Sequence, residues 1–212
     1  MAERGLLQRA SGGNKLSRAQ KGELTRTVLL DAGVDVVGEV GYAQASIAAI
    51  TRRAGVAQGT FYNYFETREQ MFDHLLPHLG RRMLDFIRDR IDANDDEGER
   101  EEQGFRAFLL FLEEHPAFYR VLYEAETFAP RAYETHTRMV ARGFARVLGR
   151  SATSSTEPPV FSDRELEAVA YMLMGIRHYV AMRYGRKNGR PAAVPDWVVD
   201  TYMRLLRGGL SL

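Results

Sequence analysis

A short polar segment, residues 58–64, has the side chains best suited to a chemical task in this 212-residue chain. It offers amide, hydroxyl and phenol groups, which are donors and acceptors that suit both base edges and phosphates of DNA. Gly59 has no side chain, so the backbone there could approach a partner closely. The segment therefore indicates nucleic-acid recognition or, alternatively, the ordinary polar surface of a small helical core. The candidate contacts are Gln58, Gly59, Thr60, Tyr62, Asn63 and Tyr64.

The sequence has few of the residue patterns that are typical of catalysis or metal binding. The chain has no cysteine, which excludes disulfides, thiolate metal sites and a cysteine nucleophile. Neither a Ser/His/Asp spacing nor a phosphate-binding glycine loop is evident. His74 and His78 lie four residues apart and could grip a metal from one helix, but no third ligand is obvious. We therefore expect no catalytic residues, no metal site and no cofactor.

The elements around the polar segment read as helices. Between residues 18 and 40, apolar side chains recur every four positions at Leu24, Val28, Ala32 and Val36. Ser46 is a suitable N-cap for a helix to Ala54, which Gly55 ends, and a third helix fits residues 58–64. Two short helices joined by a tight turn at a glycine are the outline of a helix-turn-helix, whose second helix lies in the major groove.

The remainder of the chain continues the helical pattern. The acid-rich stretch 92–102 is expected to be an exposed loop, and a second loop is expected over 149–159. The fold class is therefore all-α with about nine helices, in which a three-helix head joins a larger helical body. The expected domains are a basic arm (1–17), a helix-turn-helix domain (18–66) and a ligand-binding and dimerisation domain (67–212). The further helices are expected at 67–91, 105–115, 117–127, from Pro130, 162–184 and 195–208.

The net charge of +1 divides unevenly along the chain. Residues 1–68 carry nine Lys/Arg and six Asp/Glu, whereas residues 69–212 carry 20 and 22. A basic front suggests an N-terminal part that meets a polyanion. The first 17 residues could contact DNA as an arm or be a solvated terminus. The longest apolar run, residues 168–176, is too short for a membrane span, so we expect no membrane partner. The absence of cysteine suits a reducing cytoplasm, where we expect the protein to be.

Specific residues between positions 20 and 75 resemble the TetR family of bacterial transcriptional regulators. The resemblance places Ser46 at a phosphate, starts the recognition helix at Gln58, and puts Arg68 where a lysine usually contacts phosphate. This sequence departs from the family pattern at Ala57, where Ser or Thr commonly caps the recognition helix, and at Thr51. The matching stretches are Gly41-Tyr42, 46–50, 53–56, 59–65 and 68–71.

The resemblance implies a homodimer formed by the last two helices and a repressor released from a double-stranded, palindromic operator by a small molecule. Large side chains in the body could enclose a largely apolar effector or simply form the core. Arg177 and His178 interrupt an apolar stretch; one could anchor a ligand, or Arg177 could pair with Glu124 or Glu126. The effector candidates are Phe105, Phe108, Phe111, Phe118, Tyr119, Tyr123, Tyr133, Tyr171, Met172, Arg177 and His178.

These observations favour a ligand-responsive transcriptional regulator, which is a repressor in the simplest version, over any enzyme. The alternative hypothesis is a helical small-molecule-binding protein or enzyme with a vestigial helix-turn-helix. DNA binding distinguishes the two.

Overall fold

The computed structural model describes residues 17–92, 95–154, 161–187 and 190–208, except for the side chains of 148–154 and 163. Within these ranges the chain is helical apart from one short antiparallel hairpin, so the all-α prediction is confirmed. The predicted arm lies, except for Ser17, outside the described residues. The elements are α1 (Arg18–Val40), α2 (Ile47–Ala54), α3 (Gln58–Phe61), α4 (Arg68–Arg88), α5 (Glu97–Glu114), α6 (Phe118–Phe128), α7 (Pro130–Ser154), α8 (Asp163–Tyr184), β1 (Arg186–Lys187), β2 (Arg190–Pro191) and α9 (Asp196–Gly208).

Side-chain caps fix where several helices begin. The Ser46 hydroxyl accepts a hydrogen bond from the Ala49 amide at 3.2 Å, and the Thr67 hydroxyl accepts one from the Gln70 amide at 3.0 Å. Each bond satisfies a backbone donor that has no partner inside its own helix. The Ser46 cap was predicted from the sequence and is confirmed, and the Thr67 cap lies at the predicted start of the next helix. Pro130 opens α7, a position where its missing amide hydrogen costs nothing.

The predicted acidic loop at 92–102 is wrong in its second half, because α5 begins at Glu97. The Asp96 carboxylate accepts a hydrogen bond from the Glu99 amide at 2.8 Å, and Glu99 bonds back to the Asp96 amide at 3.2 Å. Acidic side chains in a first turn also interact favourably with the helix dipole. A run of acids that looks like a solvated loop is therefore a helix start.

Two other helix boundaries differ from the sequence prediction. Helix α3 ends at Phe61 instead of residue 64, because Asn63 and Tyr64 form turn-type bonds to carbonyls three residues back. This turn leads directly into Phe65, whose ring is buried. Helix α7 extends to Ser154, so the loop expected from residue 149 is helical up to that point, and 155–160 lie outside the described residues.

A single apolar core joins the head to the body. It contains Ile50 and Phe61 from the helix-turn-helix together with Phe111, Phe118 and other residues of the larger part. A smaller second cluster joins α5, α8 and α9 around Phe105, Leu173 and Tyr202. The boundary between residues 66 and 67 stays a prediction, and packing is continuous across it.

Helices α4 and α7 approach closely at Gly80. The His136 imidazole and the Met139 methyl of α7 occupy the space that a side chain at position 80 would need. His136 is buried, its Nδ1 has no hydrogen-bond partner, and burial lowers the pKa of its ring to about 4. The ring is therefore neutral at neutral pH and acts as a packing group.

We predict that Gly80→Ala lowers the free energy of unfolding by about 1–3 kcal/mol, because the added methyl group collides with His136 and forces α4 and α7 apart. Urea denaturation of the purified protein measures this change. The matched control is Gly143→Ala on α7, where an added Cβ meets nothing within 4 Å. That variant should gain about 0.5–1 kcal/mol from helix propensity. Equal stability of the two variants would contradict the close packing at Gly80.

Candidate DNA-binding surface and effector region

The helix-turn-helix is built on a buried aromatic and aliphatic base. Ile50 of α2 and Phe61 of α3 are fully buried, and the Phe61 and Phe65 rings pack 5.5 Å apart. Gly55 ends α2 in the left-handed conformation at φ 70°, which favours glycine because it lacks Cβ. This short turn sets α3 at an angle to α2, so the packing inside the head decides what α3 presents outside.

The predicted DNA-contact residues of the 58–64 segment differ in their exposure. Gln58, Gly59, Tyr62 and Asn63 are exposed, while Thr60 and Tyr64 are half-buried. The Tyr62 side chain is 55% exposed although its ring contacts Phe61, so its hydroxyl faces outward from a rigid base. An exposed tyrosine beside exposed amides is a surface suited to hydrogen bonding with DNA.

Two further predicted residues lie near each other: Ser46 caps α2, and Arg68 is the first residue of α4. Arg68 donates from Nη1 to the Ala45 carbonyl at 3.3 Å, and its guanidinium stacks over the Phe72 ring at 5.3 Å. It also pairs with Glu69 at 3.1 Å. The structure thus brings Arg68 next to the residue before Ser46. Arg53, by contrast, is held by Glu39 at 2.6 Å and by Asp35.

The two departures from the family pattern have clear local consequences. Ala57 has no side-chain hydrogen bond to the start of α3, so this helix lacks the cap that Ser or Thr would give. Thr51 is buried, but its hydroxyl donates to the Ile47 carbonyl at 3.0 Å. A buried hydroxyl with this bond is satisfied, so Thr51 fits where an apolar residue was expected.

The predicted effector residues do not form one group. Phe105, Phe111 and Phe118 are buried core residues, and Phe108 and Tyr133 pack against the core. Tyr171 and Met172, which are 42% and 65% exposed, lie on the outer side of α8. Phe118 contacts both Phe111 and Tyr119, and Arg177 lies over the Phe105 ring. A third group consists of Tyr119, Tyr123 and His178.

Tyr119 and Tyr123 of α6 meet His178 of α8. The Tyr123 hydroxyl lies 2.5 Å from His178 Nε2, and both tyrosine rings are within 5.5 Å of the imidazole. Burial lowers the pKa of His178 and raises that of Tyr119. The Tyr119 hydroxyl is buried without a hydrogen-bond partner, an arrangement that costs free energy unless something binds there.

A small pocket lies beside Tyr119, between α5, α8 and the hairpin. Leu109, Leu112 and Val194 give it apolar walls, while Glu113 and Arg186 add charge. Its enclosed space is about 10 Å³, close to the minimum that holds one water molecule. In this conformation the pocket is too small for a small-molecule effector, so its walls must move before one can bind.

Arg177 belongs to a buried polar cluster, not to this pocket. Its Nε donates to the Tyr202 hydroxyl at 3.1 Å, its Nη2 pairs with Glu101, and the same hydroxyl donates to Glu101 at 2.6 Å. An internal ion pair was one of the two predicted roles, but the predicted partners, Glu124 and Glu126, are wrong. Glu101 lay in the stretch interpreted as a loop, which hid its position on α5.

Sequence reasoning also did not predict the observed contacts of Arg120 and Glu124 or the position of Arg186 at the pocket. The first two contact the end of α1 from α6, and no sequence pattern links positions so far apart. The hairpin that carries Arg186 had a signal, the Asn-Gly dipeptide at 188–189, which is typical of tight β-turns. Asp96 with Glu99 likewise had the spacing of a capping box.

Histidines 74 and 78 each contact another side chain. His78 Nε2 bonds to Asp31 at 2.8 Å, and the His74 ring packs beside Phe65. Among the described residues, no cluster of three or more His, Asp or Glu side chains could hold a metal ion. No helix in those ranges is long and apolar enough to cross a membrane.

A helix-turn-helix with an exposed polar recognition face, on an otherwise helical scaffold, defines a DNA-binding transcription regulator. Residues 29–75 match the family model described as bacterial regulatory proteins, tetR family. This match and the similarities below support membership of the chain in the TetR family.

Individual relatives extend the similarity beyond the head. The transcriptional activator FasR of Mycolicibacterium smegmatis is 26% identical over 99% of this chain and 94% of its own length. Other curated relatives match this chain over only about a third of their own length. The fatty acid degradation regulator FadR from Bacillus halodurans has a TM-score of 0.72 at 23% identity, covering 93% of this chain and 99% of that one. FadR from Bacillus subtilis, solved in complex with stearoyl-CoA, has a TM-score of 0.68 at 19% identity, covering 86% and 98%.

We predict that Glu101→Ala lowers the free energy of unfolding by about 2–4 kcal/mol, because it leaves the buried Arg177 guanidinium without its counter-charge. Chemical denaturation measures this loss. Glu102→Ala is the matched control, since Glu102 pairs with Arg106, which is more exposed, and its removal should cost about 1 kcal/mol or less. A Glu101→Ala variant as stable as Glu102→Ala would show that Arg177 does not need this partner.

Proposed function

We propose that this chain is a homodimeric transcription regulator whose affinity for a palindromic operator is changed by a fatty-acyl ligand. The observation that carries the proposal is the recognition face of the head, where exposed amides and the Tyr62 phenol stand on a rigid buried base.

The DNA contacts follow from the position of each residue. Gln58, Thr60 and Asn63 offer hydrogen bonds to base edges, and Gly59 allows the backbone to come close. Tyr62 and Tyr64, together with Ser46 before α2 and Arg68 at the start of α4, suit the phosphates. Arginine at position 68 adds a planar charged group that can bind a phosphate through two hydrogen bonds.

An apolar outer stripe on α8 supports a homodimer. Tyr171, Met172, Tyr179 and Met182 are all at least 38% exposed, and the helical period of about 100° per residue places them on one side of α8. An exposed apolar stripe of this kind is typical of a protein interface. Pairing through a two-fold axis gives two recognition helices and hence a palindromic operator. Helix α9, which packs beside α8 through Tyr202, completes the predicted interface.

The pocket beside Tyr119 supports an amphipathic effector. Its walls are apolar, Arg186 lies at its edge, and the Tyr119 hydroxyl has no partner. An acyl chain suits the walls, and a carboxylate or phosphate suits Arg186. Similar proteins that are named as fatty acid regulators favour this ligand class, and one was solved with stearoyl-CoA.

The direction of regulation stays a prediction. The sequence resemblance implies repression, while the relative similar over its whole length is named an activator. A promoter carrying the operator, fused to a reporter gene, distinguishes these roles: deleting the regulator raises expression for a repressor and lowers it for an activator.

We predict that Tyr62→Ala and Asn63→Ala each weaken operator binding by about tenfold, because each removes hydrogen bonds worth about 1–3 kcal/mol at the interface. The operator can be selected from random duplex DNA, and the affinity measured by mobility shift at several salt concentrations. Wild-type affinity should fall steeply with salt through counterion release. The control, Leu110→Ala on α5, should bind as wild type.

Size-exclusion chromatography separates a DNA-contact defect from a dimer defect. Both head variants should elute as the wild-type dimer. Monomeric variants would contradict the assignment of these residues to DNA, and the absence of any selected sequence at low salt would overturn the regulator itself.

We predict that palmitoyl-CoA lowers operator affinity by about 5–150-fold, the usual range of coupling between two sites. Val194→Trp should abolish this response, because the indole fills the pocket from its rim. The neighbouring Ala193→Trp is the control and should respond as wild type, since Ala193 does not line the pocket. Equal responses of the two tryptophan variants would place the effector elsewhere, and titration with palmitate tests whether the acyl chain suffices.

A further inference from the structure

An ion pair on α6 holds the end of α1 by its backbone. Arg120 donates from Nη1 to the Glu39 carbonyl at 2.8 Å, and Glu124 accepts a hydrogen bond from the Tyr42 amide at 2.8 Å. The two side chains also bond to each other at 2.8 Å. Arg120 thereby satisfies a carbonyl in the last turn of α1, and Glu124 satisfies an amide just beyond it.

Two glycines make this contact possible: Gly38 in the last turn of α1 and Gly41 directly after it. An added Cβ at Gly38 would collide with Ala117, which precedes α6. At Gly41 an added Cβ would lie 2.7 Å from the Glu124 carboxylate, and its φ of 83° favours glycine independently. The contact is therefore close and specific, and it involves backbone on the α1 side.

The held segment leads directly into the helix-turn-helix. The Gly41 carbonyl accepts from the Ala45 amide at 3.0 Å, and the next residue, Ser46, caps α2. Tyr42 is buried and its ring packs edge-on against Phe72 of α4 at 4.8 Å. A displacement of the ion pair would consequently move the start of α2 and the ring that joins it to α4.

The same helix faces the effector pocket on another side. Ala117, Arg120 and Glu124 follow a spacing of three and four residues and lie on one stripe towards α1. Tyr119 and Tyr123 lie about 100° away around the helix, and both contact His178. A ligand that displaces Tyr119 therefore acts on the helix that carries the ion pair.

We propose that Arg120 and Glu124 are positioning residues that transmit occupancy of the Tyr119 pocket to the DNA head. The proposal rests on the proposed function above. In the closed-pocket conformation the ion pair fixes the start of α2 for operator binding. Opening the pocket shifts α6, moves the held backbone and lowers operator affinity.

The experiment compares Glu124→Ala and Arg120→Ala with a matched pair. Glu134 and Arg138 form the same type of ion pair four residues apart on α7, at an exposed site. Glu134→Ala and Arg138→Ala are therefore the controls for loss of a charge pair as such. Operator affinity is measured with and without palmitoyl-CoA, and palmitoyl-CoA binding is measured separately without DNA.

Without ligand, we expect the α6 variants to bind the operator about tenfold more weakly than the controls. The ratio of operator dissociation constants with and without palmitoyl-CoA should fall at least fivefold relative to wild type, while palmitoyl-CoA still binds the free protein. Glu124→Gln, whose amide oxygen can still accept from Tyr42, should recover part of both effects. A merely structural role would lower stability without changing this ratio.

Two results overturn the inference. One is wild-type operator affinity in the ligand-free α6 variants. The other is an unchanged ratio in variants that bind palmitoyl-CoA normally. If palmitoyl-CoA leaves wild-type operator affinity unchanged, the proposed effector fails, and the ligand-free comparison alone decides whether the ion pair positions the head.

Discussion

Helix α1 packs against both the helix-turn-helix and the larger part of the molecule, and this shared packing is the constraint on which the structure depends. Gly33 faces Met71 and Leu75 of α4, while Gly38 faces Ala117 beside α6. The glycines at both contacts let α1 approach α4 and the start of α6 closely. Because the apolar core runs through α1 without a break, the head has no independent interior against which it could reorient freely.

The sequence predicted the parts of the fold that depend on local chemistry. Ser46 marks a helix start correctly, and the helices expected from residues 67 and 162 begin directly after Thr67 and Ser162, because a cap acts within four residues. On the head, Gln58, Gly59, Tyr62 and Asn63 are exposed, while Thr60 and Tyr64 are half-buried. The specific DNA and effector contacts stay predictions.

Contacts between distant helices were beyond sequence reasoning. The partner of Arg177 could not be chosen among many acids, because Glu101 lies 76 positions away on a helix whose start was misread. The link from Glu124 to Tyr42 spans 82 positions and uses a backbone amide, which has no signature in the side-chain pattern. Burial could be anticipated at such sites, but the pairing depends on how the helices cross.

The closed pocket limits how an effector signal could reach the DNA. An interior packed to crystal-like density cannot admit an acyl chain beside Tyr119 without moving a wall, and the walls are helices that also form the common core. A ligand shifts a conformational equilibrium only by its difference in affinity for the two states. Since the closed state excludes the ligand, almost all of its binding free energy favours the open state. By reciprocity, binding of the head to the operator must disfavour opening of the pocket by the same factor by which the ligand lowers operator affinity. With no cysteine in the chain, this exchange between packing states requires no thiol chemistry.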